Sequence, residues 1–404
     1  MAVPVFADDA VASAGSAGGG AGGAGGGAGG TGSATVAETS VTVKGIKGFD
    51  DKKYNTIQDA YNAISHEVAK LAGLEENTCL DEAFNGLYTD GGKITWTIKG
   101  KQTYSKEDNE YLFTFGRAAA RYNDNSYITA VNIIGGDETA ELVLERNVKL
   151  PYDWWGNENN KMSASFSNLT ITAGKDLGNI GTAPNFGYKL NINYNNCVLN
   201  GKFYSYWDRE LNMTFENCTF NAPENTQYAI FAQGLGAGKF VVNNCNFNNY
   251  TRGVNFQKAK TNFEFTNNTI KSTVSEPDHG AVQITDGESF VVTGNTIDVN
   301  GGNAFLFHSA ATNDKVTYTI NEIKAPYLAC DDTTFGVSDK ITALGNIYND
   351  TDTVNCMKKD ATEPSKSAVT ALQGVAQIGD KYYSSLKAAV GAVSDSATIK
   401  LLSD

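Results

Sequence analysis

Between Phe166 and Tyr348 one short phrase returns eight times, and that recurrence restricts the chain to a fold in which like stacks on like. The phrase is apolar, polar, Asn or Gly, small or polar, polar, apolar, as in Phe166-Ser167-Asn168-Leu169-Thr170-Ile171. Clear copies follow at 194–199, 215–220, 242–247, 265–270 and 292–297, and two degraded ones at 320–323 and 343–348. Their third positions, 168, 196, 217, 244, 267, 294, 322 and 345, are about 25 residues apart on average, a solenoid period.

Apolar and polar residues alternate on both sides of the third position, as in half-buried strands. The third position itself is Asn five times, Gly twice and Glu once. Asn and Gly enter the left-handed backbone region at least cost, so the chain is expected to turn a corner there. Strand, corner and strand, once per turn, predict a right-handed parallel β-helix, an all-β solenoid. At about 4.8 Å per rung, eight rungs span about 38 Å. One rung cannot bury its apolar side alone, whereas stacked neighbours can.

The residue after each corner forms a second column: Leu169, Cys197, Cys218, Cys245, Asn268, Asn295, Ile323 and Asn346. Asn side chains at rung spacing can hydrogen-bond along the ladder and so satisfy amides that face inward. Stacked strands hold Cβ atoms farther apart than a disulfide tolerates, and no His or Cys-x-x-Cys pair lies nearby to complete a metal site. The three cysteines are therefore expected as buried free thiols that pack as small hydrophobes. Cys79, Cys330 and Cys356 are scattered and set no redox compartment.

A net charge of −13 argues against nucleic acid and anionic lipid as partners. No apolar run is long enough to cross a membrane as a helix. Residues 1–40 are expected to hold a signal-peptide remnant and a linker: Met1 to Asp9 resembles the last part of a secretory signal, with a small residue at Ala7, and a flexible Gly-rich linker follows at 18–32. That tract has no Lys, no preceding strand and no following helix, so it is no phosphate cradle.

Residues 41–148 are expected to cap the solenoid and supply its first irregular rungs. Asn55 reads as an N-cap with Gln58 three positions on. Ile57, Tyr61, Ile64, Val68 and Leu71 then make one apolar stripe, which predicts a lid helix over 55–72 with His66 at its edge. Strands follow at 93–98, 130–134 and 142–144. The regular solenoid is placed at 149–357 and a linker at 358–372. Residues 373–404 repeat the opening, with 374–390 parallel to 43–64 and a strand at 397–402; this predicts the start of a second module, continued downstream.

The middle of the chain resembles the pectate-lyase-like superfamily of parallel β-helices, and more closely the adhesin-like surface proteins of Gram-positive bacteria. The resemblance covers about half the chain, rests on the repeat, and implies a secreted or cell-surface location. In the enzymes of that superfamily an outward lateral face carries the catalysis. Here a third strand per rung, at 230–233, 254–257, 282–285 and 305–308, places Asn255, Gln257, Gln283, Thr285, Leu306 and His308 on the outward side if Val254, Phe256, Val282, Ile284, Phe305 and Phe307 face in.

A lyase needs clustered carboxylates for calcium and a basic group for the α-proton; a hydrolase needs two facing carboxylates. The face has neither, so binding of a host or neighbouring-cell protein or glycan, without cofactor or metal, is the leading expectation. Trp154, Trp155, Tyr204 and Tyr206 are the aromatic candidates for that binding, with core packing as the competing reading. A carbohydrate-active lyase or hydrolase is the alternative, carried by Asp278, His279, Asp286 and His308, whose surroundings faintly resemble motifs of polygalacturonase-like hydrolases. A structural spacer of a larger surface protein is the third reading.

Overall fold

The computed structural model describes residues 38–50, 52–72, 89–104, 129–145, 162–173, 179–182, 190–206, 210–223, 227–272, 279–307, 316–331, 341–344, 347–348, 355–356, 365–366, 375–379, 381–383, 386–394 and 396–402. Within them the chain is an all-β parallel solenoid. Ten strands following the corners, from Lys101–Tyr104 through to Ile347–Tyr348, form one uninterrupted sheet, face two. The strands preceding the corners, from Lys93–Lys99 to Ile341–Leu344, stack in parallel as face one. Face three lies between successive rungs and includes Lys202–Tyr206, Gly280–Asp286 and Asn303–Phe307. Strands Tyr228–Asn243 and Gly253–Thr266 run without a break from face three into face one.

The alternation in the sequence sets the inside and the outside. Along Leu211–Glu216, Leu211, Met213 and Phe215 are buried while Asn212, Thr214 and Glu216 are half-exposed. The register matches like with like: Phe166, Tyr194 and Phe215 are neighbours on adjacent rungs. Their rings stack at 4.6 and 4.8 Å between centroids, and Phe220 stacks on Phe247 at 4.6 Å across face two. Such pairs add about 0.5–1.5 kcal/mol each beyond the area they bury.

The corners behave as their residue types require. Asn168, Asn196, Asn217, Asn244 and Asn267 have φ between 52° and 56°, and Gly294 has φ 69°. Two of the corner amides bond along the row: Asn196 Nδ2 donates to Asn168 Oδ1 at 2.7 Å, and Asn244 Nδ2 donates to Asn217 Oδ1 at 2.6 Å. The seventh corner is a correction. It falls on Ile320, φ 58°, and not on Glu322. Glu322 pairs with Thr296 as the first residue of the next strand, which shifts the frame of this copy by two and puts Asn321, not Ile323, in the inner column. Gly345 and Asn346 lie outside the described residues.

That inner column is continuous. Asn268, Asn295 and Asn321 are buried, and each side-chain oxygen accepts the backbone N–H of the column residue one rung earlier: Cys245 at 2.8 Å, Asn268 at 2.8 Å and Asn295 at 3.0 Å. Each Nδ2 donates to a carbonyl of the preceding rung, Val242, Phe265 or Val292. One residue type thus satisfies an orphan donor and an orphan acceptor per rung. Upstream of Asn268, the Cys218 N–H is given to Cys245 Sγ at 3.3 Å. Cys197, Cys218 and Cys245 are buried free thiols.

At the N-terminal end, strand Ser40–Lys44 pairs antiparallel with Lys93–Lys99 and closes the edge of face one. Helix α1, Ile57–Ala72, packs on that strand and on Lys101–Tyr104. Ile57, Ala60, Tyr61 and Ile64 are buried in the shared core; the side chains of His66, Val68 and Leu71 lie outside the described residues. The helix cap differs from the expected Asn55–Gln58 pair. Thr56 Oγ1 accepts the Asp59 N–H at 3.0 Å, while Gln58 bonds Asn62. Gln102, from the first rung, supplies the rest: its Oε1 accepts the Ile57 N–H at 2.9 Å and its Nε2 donates to the Asn55 carbonyl. A buried glutamine therefore fixes the lid to the solenoid.

At the C-terminal end, strand Ala376–Ile378 pairs antiparallel with Lys381–Tyr383 and with Ile399–Leu401, and helix α2 spans Leu386–Ala392.

Candidate functional site

Face three carries the candidate site. Phe203, Ile230, Val254, Val282 and Phe305 form its inner column and are fully buried. One residue on, the outer column runs Tyr204, Phe231, Asn255, Gln283 and Leu306 in register. Alternation thus sends Tyr204 outward, which removes core packing as its role; Phe203 does that work. The side chain of Tyr206 lies outside the described residues.

The outer column is not uniformly open, and this corrects the expectation that all of it faces solvent. Asn255 is 3% exposed, Gln283 1% and Leu306 8%. Nearly unbroken burial along 253–256, 280–284 and 302–306 is the mark of a sheet covered on both sides. Asn255 Oδ1 accepts from the Thr285 hydroxyl at 3.1 Å, and Gln283 Nε2 donates to the Gly280 carbonyl. Both amides act within the wall and are withdrawn from any ligand that stays outside it. Gln257 and Thr285 stay half-exposed.

The accessible part lies toward the earlier rungs. The Tyr204 and Phe231 rings stack at 5.9 Å with 14° between planes, and Tyr228 leans on Phe231 at 5.3 Å. Lys202 Nζ sits 5.9 Å from the Tyr204 ring centre and 5.8 Å from that of Phe231, and the Arg252 guanidinium lies 5.7 Å from the Tyr228 ring. Gln233 donates its amide to the Tyr204 hydroxyl. All six of these side chains except Phe231 carry a polar or charged group, and all six are half-buried. The cluster is an aromatic platform of three rings, with one cation beside the Tyr204–Phe231 pair and another beside Tyr228. Attraction between each cation and a ring face keeps both charges beside the rings.

Of the residues singled out from sequence, Tyr204, Asn255, Gln257, Gln283 and Thr285 come to this face. Asp286 pairs with Gln257 through a bulge, with its side chain outside the described residues. His279 is half-buried just before Gly280–Asp286, and its carbonyl accepts the Asn303 N–H at 2.8 Å. Trp154, Trp155, Asp278 and His308 lie outside the described residues. Lys202, Tyr228, Phe231 and Arg252 were not anticipated. Phe231 was within reach, because a strand with Ile230 and Ala232 inward must send it out. Arg252 was not, since it approaches from a turn.

Among the described residues no three His, Cys, Asp or Glu side chains are grouped so as to hold a metal ion. No helix among them is long and apolar enough to cross a membrane. A scan against protein-family models found no match, and neither did searches of curated proteins and of solved structures.

Proposed function

We propose that this chain is a non-catalytic β-helix module of a secreted or cell-surface protein, which binds a glycan or protein of a host or neighbouring cell through the outer side of face three. The repeat's resemblance to pectate-lyase-like β-helices and to adhesin-like surface proteins of Gram-positive bacteria sets this context. The observation that carries the reading is the ring platform of Tyr204, Phe231 and Tyr228 with Lys202 and Arg252 beside it. Flat rings stack on the apolar faces of sugars, and flanking cations favour a ligand that bears carboxylate or sulfate groups. Half-exposed Gln257 and Thr285 continue the face with amide and hydroxyl groups.

The test is binding of the purified chain to an array of acidic and neutral glycans, followed by titration calorimetry on the strongest. Loss of binding in Phe231→Ala and in Lys202→Ala, with the fold kept, supports the reading. Release of unsaturated products or new reducing ends from an acidic polysaccharide overturns it in favour of a lyase or hydrolase. Absence of any glycan or host-protein ligand leaves the chain as a spacer.

A further inference from the structure

The chain builds the same small unit twice. In the first copy Val41 lies between Tyr54 on one neighbouring strand and Ile98 on the other, both antiparallel, and α1 begins three residues after Tyr54. In the second copy Ala376 lies between Tyr383 and Leu401, both antiparallel, and α2 begins three residues after Tyr383. The pairing equates Ile57 with Leu386, Ala60 with Ala389, Tyr61 with Val390, Ile64 with Val393 and Ile98 with Leu401.

Where the unit packs on itself the copies agree: Val41, Ala60, Ala376 and Ala389 are all 0% exposed. Elsewhere they part. Ile57, Ile64 and Ile98 are 0% exposed and Tyr61 6%, whereas Leu386 is 49% exposed, Val390 55%, Val393 38% and Leu401 61%. In the first copy the solenoid's first rung makes the difference. Lys101–Tyr104 packs on α1, Gln102 takes the Ile57 N–H, and Lys93–Lys99 pairs in parallel with Ala130–Gly135. In the second copy Ile399–Leu401 is an edge strand of a three-stranded sheet. An apolar face beside an open strand edge is what a stacking rung needs.

We propose that the C-terminal unit is a nucleating cap whose face Leu386, Val390, Val393 and Leu401 receives the first rung of a second parallel solenoid, supplied in cis through the strand that Ile399–Leu401 opens. The first copy sets both the occupant and its source. There the covering strand begins two residues after Lys99, across the single corner Gly100, φ 62°, and Leu402 is the equivalent of Lys99.

The test compares two chains that carry Val390→Cys as a reporter. One is the 404-residue chain; the other is the same chain with residues 100–200 copied on after Leu402. Alkylation of the reporter is followed with time, and strand content by circular dichroism. The expected result is rapid labelling in the first chain and labelling slowed about tenfold or more in the second, with added strand signal from the appended rungs. Equal labelling in both chains, or appended rungs that stay unfolded, overturns the proposal. Concentration-dependent protection in the 404-residue chain also overturns it, by assigning the face to a second copy.

Discussion

Asn321 accepts two hydrogen bonds from Asn295 through one side-chain oxygen, the backbone N–H at 3.0 Å and Nδ2 at 2.9 Å. Asn295 in turn bonds the Asn268 N–H and the Phe265 carbonyl, in a site only 1% exposed. Asn295→Leu leaves both of those backbone groups unpaired inside the core. A loss of about 2–4 kcal/mol is expected from urea unfolding, because each buried unsatisfied group costs about 1–3 kcal/mol. A loss under about 1 kcal/mol would mean that the inner column contributes little.

The corner row makes opposite forecasts for two substitutions. Ile320 holds a β-branched side chain, 46% exposed, at φ 58°. Ile320→Asn is expected to stabilise the chain by about 1–2 kcal/mol, the approximate cost of the left-handed region for such a residue. Asn244→Val, at φ 52°, should destabilise by at least that much and also lose the bond to Asn217. Thermal or urea midpoints that move the other way would place the corners elsewhere.

Buried tyrosines should make the fold sensitive to alkali. Burial raises Tyr104, helped by Tyr61 nearby; it raises Tyr194, helped by Cys197 and Cys218; and it raises Tyr250, whose hydroxyl donates to the Gly201 carbonyl. Each holds its proton more tightly folded than unfolded. The stability they add is therefore complete below the unfolded value of about 10 and is lost as pH rises above it. In an alkaline titration the tyrosinate absorbance of these residues should appear together with loss of strand signal. Full ionisation in a chain still folded would contradict their burial.

The three stacked thiols should be inert in the native state. Contact with the Cys218 thiol, and then burial, hold Cys197 and Cys245 above the ordinary thiol range, while the same contacts lower Cys218 to about 4. All three are at most 1% exposed, and it is this burial that denies a reagent access. Peptide mapping after native alkylation should find these three unmodified, and all three modified after unfolding. Rapid native labelling at any of them would mean that the column is open to solvent.

Much of the fold is legible from Asn and Gly at one recurring position, because that position needs φ above zero and few residue types accept it cheaply. The same reasoning misplaced the corner at Ile320, where the left-handed residue is the one type least expected there. Its position is set instead by the pairing of Glu322 with Thr296 and by the buried amide of Asn321. The lid helix was readable from its apolar stripe, but its attachment through Gln102 was not, because that contact spans 45 residues. At the candidate site, alternation puts Asn255 and Gln283 on the outer side of face three, one residue on from the buried Val254 and Val282. It carries no information on what lies over that side, so their burial could not be foreseen. Lys202 and Arg252 escaped for a related reason, since their place beside the rings depends on stacking between rungs.

The most direct check of the account is a distance between two outward residues four rungs apart. Ser167, Asn195, Glu216, Asn243 and Thr266 are successive neighbours on face one. Spin labels at Ser167→Cys and Thr266→Cys, with Cys79, Cys330 and Cys356 replaced by Ser, report this spacing in a pulsed dipolar measurement. Stacked rungs predict a backbone separation of about 19 Å and one narrow peak near about 20–25 Å. A broad distribution, or a peak beyond about 30 Å, would contradict the stack of in-register rungs on which the site depends.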